Sequence, residues 1–530
     1  MAKAKVQKFK TEYRTDFSGG VNNYYGPRQI KDNESPISIN CDFMGKSGIG
    51  TRDGYTEIGS VADSREAIYG MTEFHTSTLD YIIKFASNAS NVALYYSNGS
   101  TAWTAVTGTT FTDATNIDVI QAGSKIYSAN GTDAMQEWGG TTWSATSNGT
   151  VGYYPEYYNK RLWVVDETNK YILNFSGQWA AAGSKLGDFA DATAGTVEIR
   201  PGSGYEIRGI KSFKDYLYVF LYPYGIYRIS PASAANTFTV ELVTNSIGCV
   251  SHRSICQVGE DLFFAADDGV YSLGDVANYT EVRTTNRSAK IQSVFDDLSG
   301  TSKTKLCAAY YNFKYHLFYP RFGGENDSCV VYDVRYRGWQ SWHNIAANSV
   351  TNFTNSSDES GMYFGEPSSG KIMQMYEGDD DDGSSISTTF YTKSYDEGMP
   401  DILKLYYDTT FIFGALNGSV TLSVIFNDNE VSSSHTLEQE VPQGGWGRHA
   451  AGNPITANVY GTLPKGGFGA CDQDKSVTTV INEPQRLKAK DKKFAVQYKI
   501  ESTDLWRLDG ISQWFFPFDH WKFPSENKLN

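Results

Sequence analysis

The seven histidines are His75, His252, His316, His343, His435, His449 and His520. None belongs to a His-Glu-x-x-His pair, and no two are close neighbours, so the sequence offers no helical zinc site. Neither a Gly-x-Ser-x-Gly nucleophile elbow nor a Gly-x-x-x-x-Gly-Lys-Ser/Thr phosphate loop occurs. The six cysteines, Cys41, Cys249, Cys256, Cys307, Cys329 and Cys471, form no Cys-x-x-Cys pair and have no His at zinc-like spacing. They read as buried, reduced thiols. Carboxylates are the remaining chemistry. Asp379 to Asp382 are four in a row, hard oxygen ligands of the kind calcium takes, but they lack the alternate positions of an EF-hand loop. The run reads as a solvated acidic linker, and calcium is left open. Asp267-Asp268-Gly269 reads as turn chemistry. No catalytic, cofactor or metal residue is assigned.

Any of these groups would have to be positioned by β structure. Tyr (36), Phe (29) and Trp (11) dominate the apolar set, with 50 Gly for tight turns. A hairpin pattern repeats along the chain: apolar run, polar turn, aromatic run. It is seen in Ile255, Val258, Leu262, Phe263; in Val119, Ala122, Ile126, Tyr127; in Ile210, Phe213, Leu217, Tyr218; in Tyr310, Phe313, Leu317, Phe318; and more weakly in Pro155, Tyr158, Leu162, Trp163. Looser copies place Ile82 and Met362 on the same strand. Second strands then fall near 82, 126, 162, 217, 262, 317 and 362, with a mean spacing of about 47, the period of a four-stranded propeller blade. Gly-rich turns running into Trp103, Trp143, Trp179, Trp339 and Trp342 supply a large ring to fill the wedge between blades.

The expected fold is all-β: a β-propeller of about seven blades, with six or eight as alternatives, and an additional C-terminal β-sandwich. Residues 1–60 read as an N-terminal arm and first strands, 61–376 as propeller, 377–389 as acidic linker, 390–523 as sandwich and 524–530 as a tail. Within the sandwich, Val420, Leu422 and Val424, and again Phe494, Val496, Tyr498 and Ile500, alternate with polar residues. Asn427-Asp428-Asn429 reads as a hairpin tip. A Gly/Pro/Trp-rich insertion, 443–470, separates these strands. The last aromatic run, 514–523, would be a sticky patch if exposed. Trp446, Trp514, Phe515, Phe516, Phe518 and Trp521 are therefore the candidate interface residues.

The formal charge of −14 argues against a protein that grips DNA phosphates. Lys3, Lys5, Lys8 and Lys10 are a local exception and read as a solubilising tail. The first ten residues have no apolar core of a signal peptide, and the longest apolar run, 216–229, is broken by Pro223 and Gly225. Cytoplasmic synthesis is expected.

The segment Asp16-Phe-Ser-Gly-Gly-Val-Asn-Asn23, Pro27, Ile30, Asp32-Asn-Glu34, Asn40, Asp42, Gly50-Thr-Arg52-Asp-Gly54-Tyr55 resembles the opening of the tail nozzle or tail hub proteins of short-tailed bacteriophages. Asp333-Val-Arg-Tyr-Arg-Gly-Trp339 is similar to a blade phrase of the same family. The resemblance implies a virion protein with no catalytic residues, assembled in the host cytoplasm as a homo-oligomeric ring, commonly a hexamer. Such a ring sits below the portal and adaptor, contacts fibres or spikes, and lets DNA pass without specific binding. Two other classes remain open on the residues alone: a receptor-binding tail protein that stacks aromatics on host glycan, and a propeller glycoside hydrolase with carboxylates on separate blades.

Overall fold

The structure, a computed structural model, describes residues 9–45, 48–59, 67–87, 91–99, 102–108, 110–112, 116–179, 185–231, 237–274, 286–428, 430–438, 480–481 and 493–517. Seven antiparallel sheets follow one another and form the blades of a propeller. The first is Ala67–His75, Asp80–Ser87, Val92–Ser97 and Thr104–Ala105; the second is Asp118–Ala122, Lys125–Ala129, Gln136–Trp138 and Ser144–Ala145. The third is Gly152–Tyr158, Arg161–Asp166, Ile172–Phe175 and Gly195–Glu198; the fourth is Glu206–Phe213, Tyr216–Tyr222, Ile226–Pro231 and Phe238–Thr244. The fifth has three strands, Cys256–Val258, Asp261–Ala266 and Gly269–Ser272. The sixth is Cys307–Tyr311, Lys314–Tyr319, Ser328–Asp333 and Gly338–His343, and the seventh begins with Ser349–Thr354, Ser360–Gly365 and Ile372–Met375.

All seven second-strand positions expected from the repeat lie on the second strand of a blade. The local reason is the turn before that strand. Asn159 and Lys160, Lys214, and Asn312 and Phe313 hold positive φ there, as do Gly123 and Gly259, so the backbone reverses in two residues and its twist matches the strands. The apolar faces on either side then pack into the wedges between blades. Phe74, Phe85, Trp138 and Trp143 fill the wedge between blades one and two. Trp163, Phe175, Ile210 and Leu217 fill that between three and four. Trp103 and Phe353 close the wedge between seven and one, and Trp342, Phe318 and Phe364 that between six and seven. Trp179 departs from the expectation: its side chain is 42% exposed and seals no wedge.

Two blades depart from the simple repeat. In blade five the described residues after the third strand are helical, Ala289–Ile291, Gln292–Asp296 and Gly300–Lys303, and they send Ile291, Phe295 and Leu298 into the wedge toward blade six. Blade seven takes its fourth strand from the other end of the chain. Tyr55–Glu57 pairs antiparallel with Ile372–Met375, in the register Met375↔Tyr55. The ring closes where the Ile68 amide donates to the Glu366 carbonyl at 3.0 Å and the Asn348 side chain donates to the Ile68 carbonyl at 2.7 Å.

The sandwich is built on the propeller rather than after it. The sheet of blade six continues through Ser38–Ile39 into Thr388–Tyr391, Val496–Ser502, Ser419–Phe426 and Glu430–Glu438, nine strands in all. The facing sheet pairs Lys404–Asn417 with Leu505–Pro517 and adds Lys10–Arg14, Gly48–Thr51, Cys41–Met44 and Val480–Ile481. Tyr406, Phe411, Phe413, Leu422, Tyr498, Ile500, Trp506 and Leu508 interdigitate between them. Val420, Leu422, Val496, Tyr498 and Ile500 are buried as expected, but the alternation is incomplete: a register shift at Val424/Ile425 leaves Val424 only partly buried, Ser423, Ala495 and Gln497 are buried as well, and Phe494 precedes the strand and is exposed. Asn427 and Asp428 turn the hairpin with positive φ.

Two boundaries are corrected. Residues 10–57 are not a separate arm, because their strands belong to both sheets of the sandwich, to blade six and to blade seven. The acidic run 377–389 is not a bare linker. Asp380–Asp381 and Ser384–Ser385 form a hairpin that extends blade seven, with Asp381 parallel to Tyr55. Two of the four charges that suggested a solvated run are matched by cations, Asp381 by Arg52 and Asp382 by Lys371, while Asp379 and Asp380 are exposed.

Candidate functional site

The propeller axis is where charged side chains from the most elements meet. Arg253 lies on the short turn His252–Ser254 that opens blade five. Its guanidinium donates to Asp118 Oδ1 on blade two at 3.0 Å, to the Ile117 carbonyl at 3.0 Å, to the Asn348 carbonyl at the entry to blade seven at 2.9 Å, and to the Tyr69 carbonyl on blade one. The Arg253 and Asp118 side chains are 13% and 12% exposed. One planar, five-donor group thus ties four blades across the centre of the ring. Ser251, beside it, donates to the Leu306 carbonyl at 2.7 Å at the entry to blade six. Asp118 and Glu156 both act on His252, whose imidazole is pushed down by burial and stacks on Tyr154 at 4.7 Å. Glu156 accepts from Ser212 Oγ at 2.6 Å and from Lys211 Nζ at 3.2 Å, and its charge holds the Lys211 ammonium above the usual lysine range.

Each axial carboxylate is therefore matched by its own cation. That arrangement ties the blades together across the ring. The nearby cleft lined by Tyr153, Tyr154, Lys170, Glu206, Ile207 and Arg208 encloses about 20 Å³, room for one water.

The expected interface residues separate by strand alternation. Phe515 is 1% exposed and packs in the sandwich core across from Tyr406, so it presents nothing to a partner; this corrects its place among the interface residues. Trp514, opposite Thr11, points outward and is 48% exposed. Phe516 is partly covered by Phe9, ring centroids 5.5 Å apart, and Tyr13 is exposed on the same strand pair. Trp446, Phe518 and Trp521 lie outside the described residues, as do the 443–470 insertion and Lys3, Lys5 and Lys8. Of the acidic residues, Asp267 pairs with Lys303, Asp268 accepts from the Tyr271 hydroxyl, and Asp380 accepts from the Gly383 amide. Among the described residues, no three acidic, His or Cys side chains converge as a metal site would require.

A second concentration of polar groups lies where propeller meets sandwich. Asn40, at positive φ, receives the His343 amide on Oδ1 at 2.8 Å and donates to the Ser387 carbonyl at 2.9 Å. Arg52, with no exposed side-chain area, grips Asp381 through two nitrogens at 2.9 and 2.7 Å. Asp42 pairs with Lys314 of blade six. A Cβ on Gly54 would collide with the Asp380 carbonyl, so only glycine lets these strands approach. These contacts were not deducible from the sequence, since each joins residues some 300 positions apart.

The junction predicts an acid sensitivity. His316, buried beside Tyr376 at 2.5 Å, is pushed down to about 3, by burial first and by the Lys314 charge second. The unfolded chain takes up this proton near the ordinary 6.5 and the folded chain near 3, so the neutral ring's stabilisation is present above the unfolded value and lost as pH falls from 6.5 toward 3. At about pH 4.5 the loss is roughly 3 kcal/mol. His343, lowered to about 4 by burial and by Arg321, acts in the same direction. Urea unfolding at neutral pH and at about pH 4.5 should show a smaller loss in His316→Gln than in the wild type; equal losses would contradict the assignment.

Compared with known protein families and with curated proteins, the chain matches none. Solved structures with a similar course include the computationally designed Ika8 protein (TM-score 0.35, 9% identity, covering 61% of this chain and 100% of that one). YCF48 from Cyanidioschyzon merolae is another (TM-score 0.37, 8% identity, 61% and 98%). The count of blades rests on the seven sheets themselves.

Proposed function

We propose that the chain is a structural virion protein of a phage tail, a nozzle or hub subunit whose copies form a ring below the portal and adaptor and extend the channel for DNA ejection. The observation that carries this reading is where the tail-protein-like segment sits. Gly20, Asn40, Asp42, Arg52, Gly54 and Tyr55, the residues of the resemblance, are the ones that weld sandwich to propeller and close the seventh blade. A segment whose side chains are spent on that architectural task fits a structural role more than a binding pocket. In this reading the conduit would run between copies, along walls whose net acidity repels phosphate.

Negative-stain electron microscopy of the purified protein, with and without the cognate adaptor ring, tests this. Six-fold rings with a central hole are the expected result; monomers or compact trimers in both conditions overturn it and make glycan binding and glycan hydrolysis the next assays. The outward Trp514 should contribute to assembly and little to folding. Trp514→Ser should shift stability by under about 1 kcal/mol in urea unfolding, while lowering the fraction of rings.

A further inference from the structure

The Lys314–Asp42 pair is closed off in a way that an ordinary ion pair is not. Both side chains are nearly buried, 5% and 7% exposed, and Lys314 Nζ and Asp42 Oδ2 are in direct contact. The ammonium has three donors. Among the described residues it donates to Asp42, and two aromatic rings flank it: the Trp342 ring centre lies 5.7 Å away and that of Tyr376 5.3 Å. The other Asp42 oxygen, Oδ1, takes the Phe43 amide at 2.7 Å. Holding two full charges in a buried aromatic enclosure costs free energy that a neutral linkage between the same two side chains would not. An amide at this place would carry one N–H in place of three and would leave the Phe43 amide bonded to the surviving oxygen.

We propose that Lys314 and Asp42 condense to an intramolecular isopeptide bond that welds the sandwich to blade six. The ammonium first passes a proton to the carboxylate, giving a neutral amine beside a carboxylic acid. The Nζ lone pair attacks Cγ. The tetrahedral carbon then expels its hydroxyl, which leaves as water with the proton shed by nitrogen. One C–N bond forms, one C–O bond breaks, and nothing is oxidised or reduced. The fold has already positioned the reactants, and effective molarities on the order of 10⁵–10⁸ M are reached by well-oriented intramolecular pairs. The bond would join residues 272 positions apart in a chain whose described cysteines are all free. It stands independently of the virion reading.

Intact mass spectrometry of the folded full-length protein under denaturing conditions is the test, followed by tryptic mapping. Expected is a wild-type chain lighter by one water than its sequence mass, while Lys314→Arg, which keeps the cation but cannot form the amide, shows its full sequence mass. A branched peptide should connect Lys314 to Asp42, and Asp42→Ala should restore the full mass. Full mass in folded wild type reduces the pair to a salt bridge and overturns the proposal. So does a one-water loss that persists in Lys314→Arg, which would place the dehydration elsewhere.

Discussion

Arg253→Met should destabilise the protein by about 3–5 kcal/mol, because it strands a buried carboxylate and removes the donor shared by carbonyls of three blades. Asp118 is only 12% exposed, and no other ion pair to it exists among the described residues. The Ile117, Asn348 and Tyr69 carbonyls lose their common partner at the same stroke. Methionine keeps most of the side-chain volume, so the effect is of charge and hydrogen bonding more than of a cavity. A double-mutant cycle separates these. Arg253→Met with Asp118→Leu removes the stranded charge and should recover more than half of the loss, whereas independent contributions would add. Urea unfolding with an unchanged slope reads both. A single-mutant cost below about 1 kcal/mol would show that the wedges hold the ring without an axial pin.

The pin and the repeat illustrate what the sequence does and does not carry. The hairpins at Leu262, Leu217 and Leu317 were legible because a two-residue turn, an apolar period and a blade spacing all lie within a dozen residues. The Trp positions were legible at Trp103, Trp143 and Trp342, where the ring enters a wedge, but Trp179 has the same Gly-rich approach and faces solvent; local sequence does not say which side of a blade a loop folds over. Phe515 and Trp514 show the same limit at one-residue scale. Both are aromatic, and only the register against Thr11 and Tyr406 assigns one to solvent and the other to the core. Arg253 and Lys314 carried no local signal, and nothing near Arg52 named its partner, since each meets its counterpart through ring closure or through the junction. The acidic run was misread for the same reason: Asp381 looks solvated until Arg52 arrives from the far end of the chain.

Deleting residues 1–57 should have the largest effect, abolishing the cooperative fold. The longer deletion removes Tyr55–Glu57, so blade seven loses its outer antiparallel strand and Ile372–Met375 becomes an open edge, which invites association with other chains. It removes Phe17, Cys41 and Ile49 from the sandwich core and three strands from one of its sheets. It also leaves Asp381 without Arg52 and Lys314 without Asp42, two buried charges each worth about 3–5 kcal/mol when stranded. Those two terms alone approach the roughly 5–15 kcal/mol by which whole domains are stable, before any lost apolar burial is counted. The loss should reach the propeller and sandwich together, because one nine-stranded sheet runs through both. Soluble yield, limited proteolysis and thermal melting of the 58–530 chain give the answer. A soluble product with a single cooperative transition near that of the full chain would mean that blade seven closes on Ser349–Met375 alone, and the N-terminal segment would then be a passenger on the fold rather than its clasp.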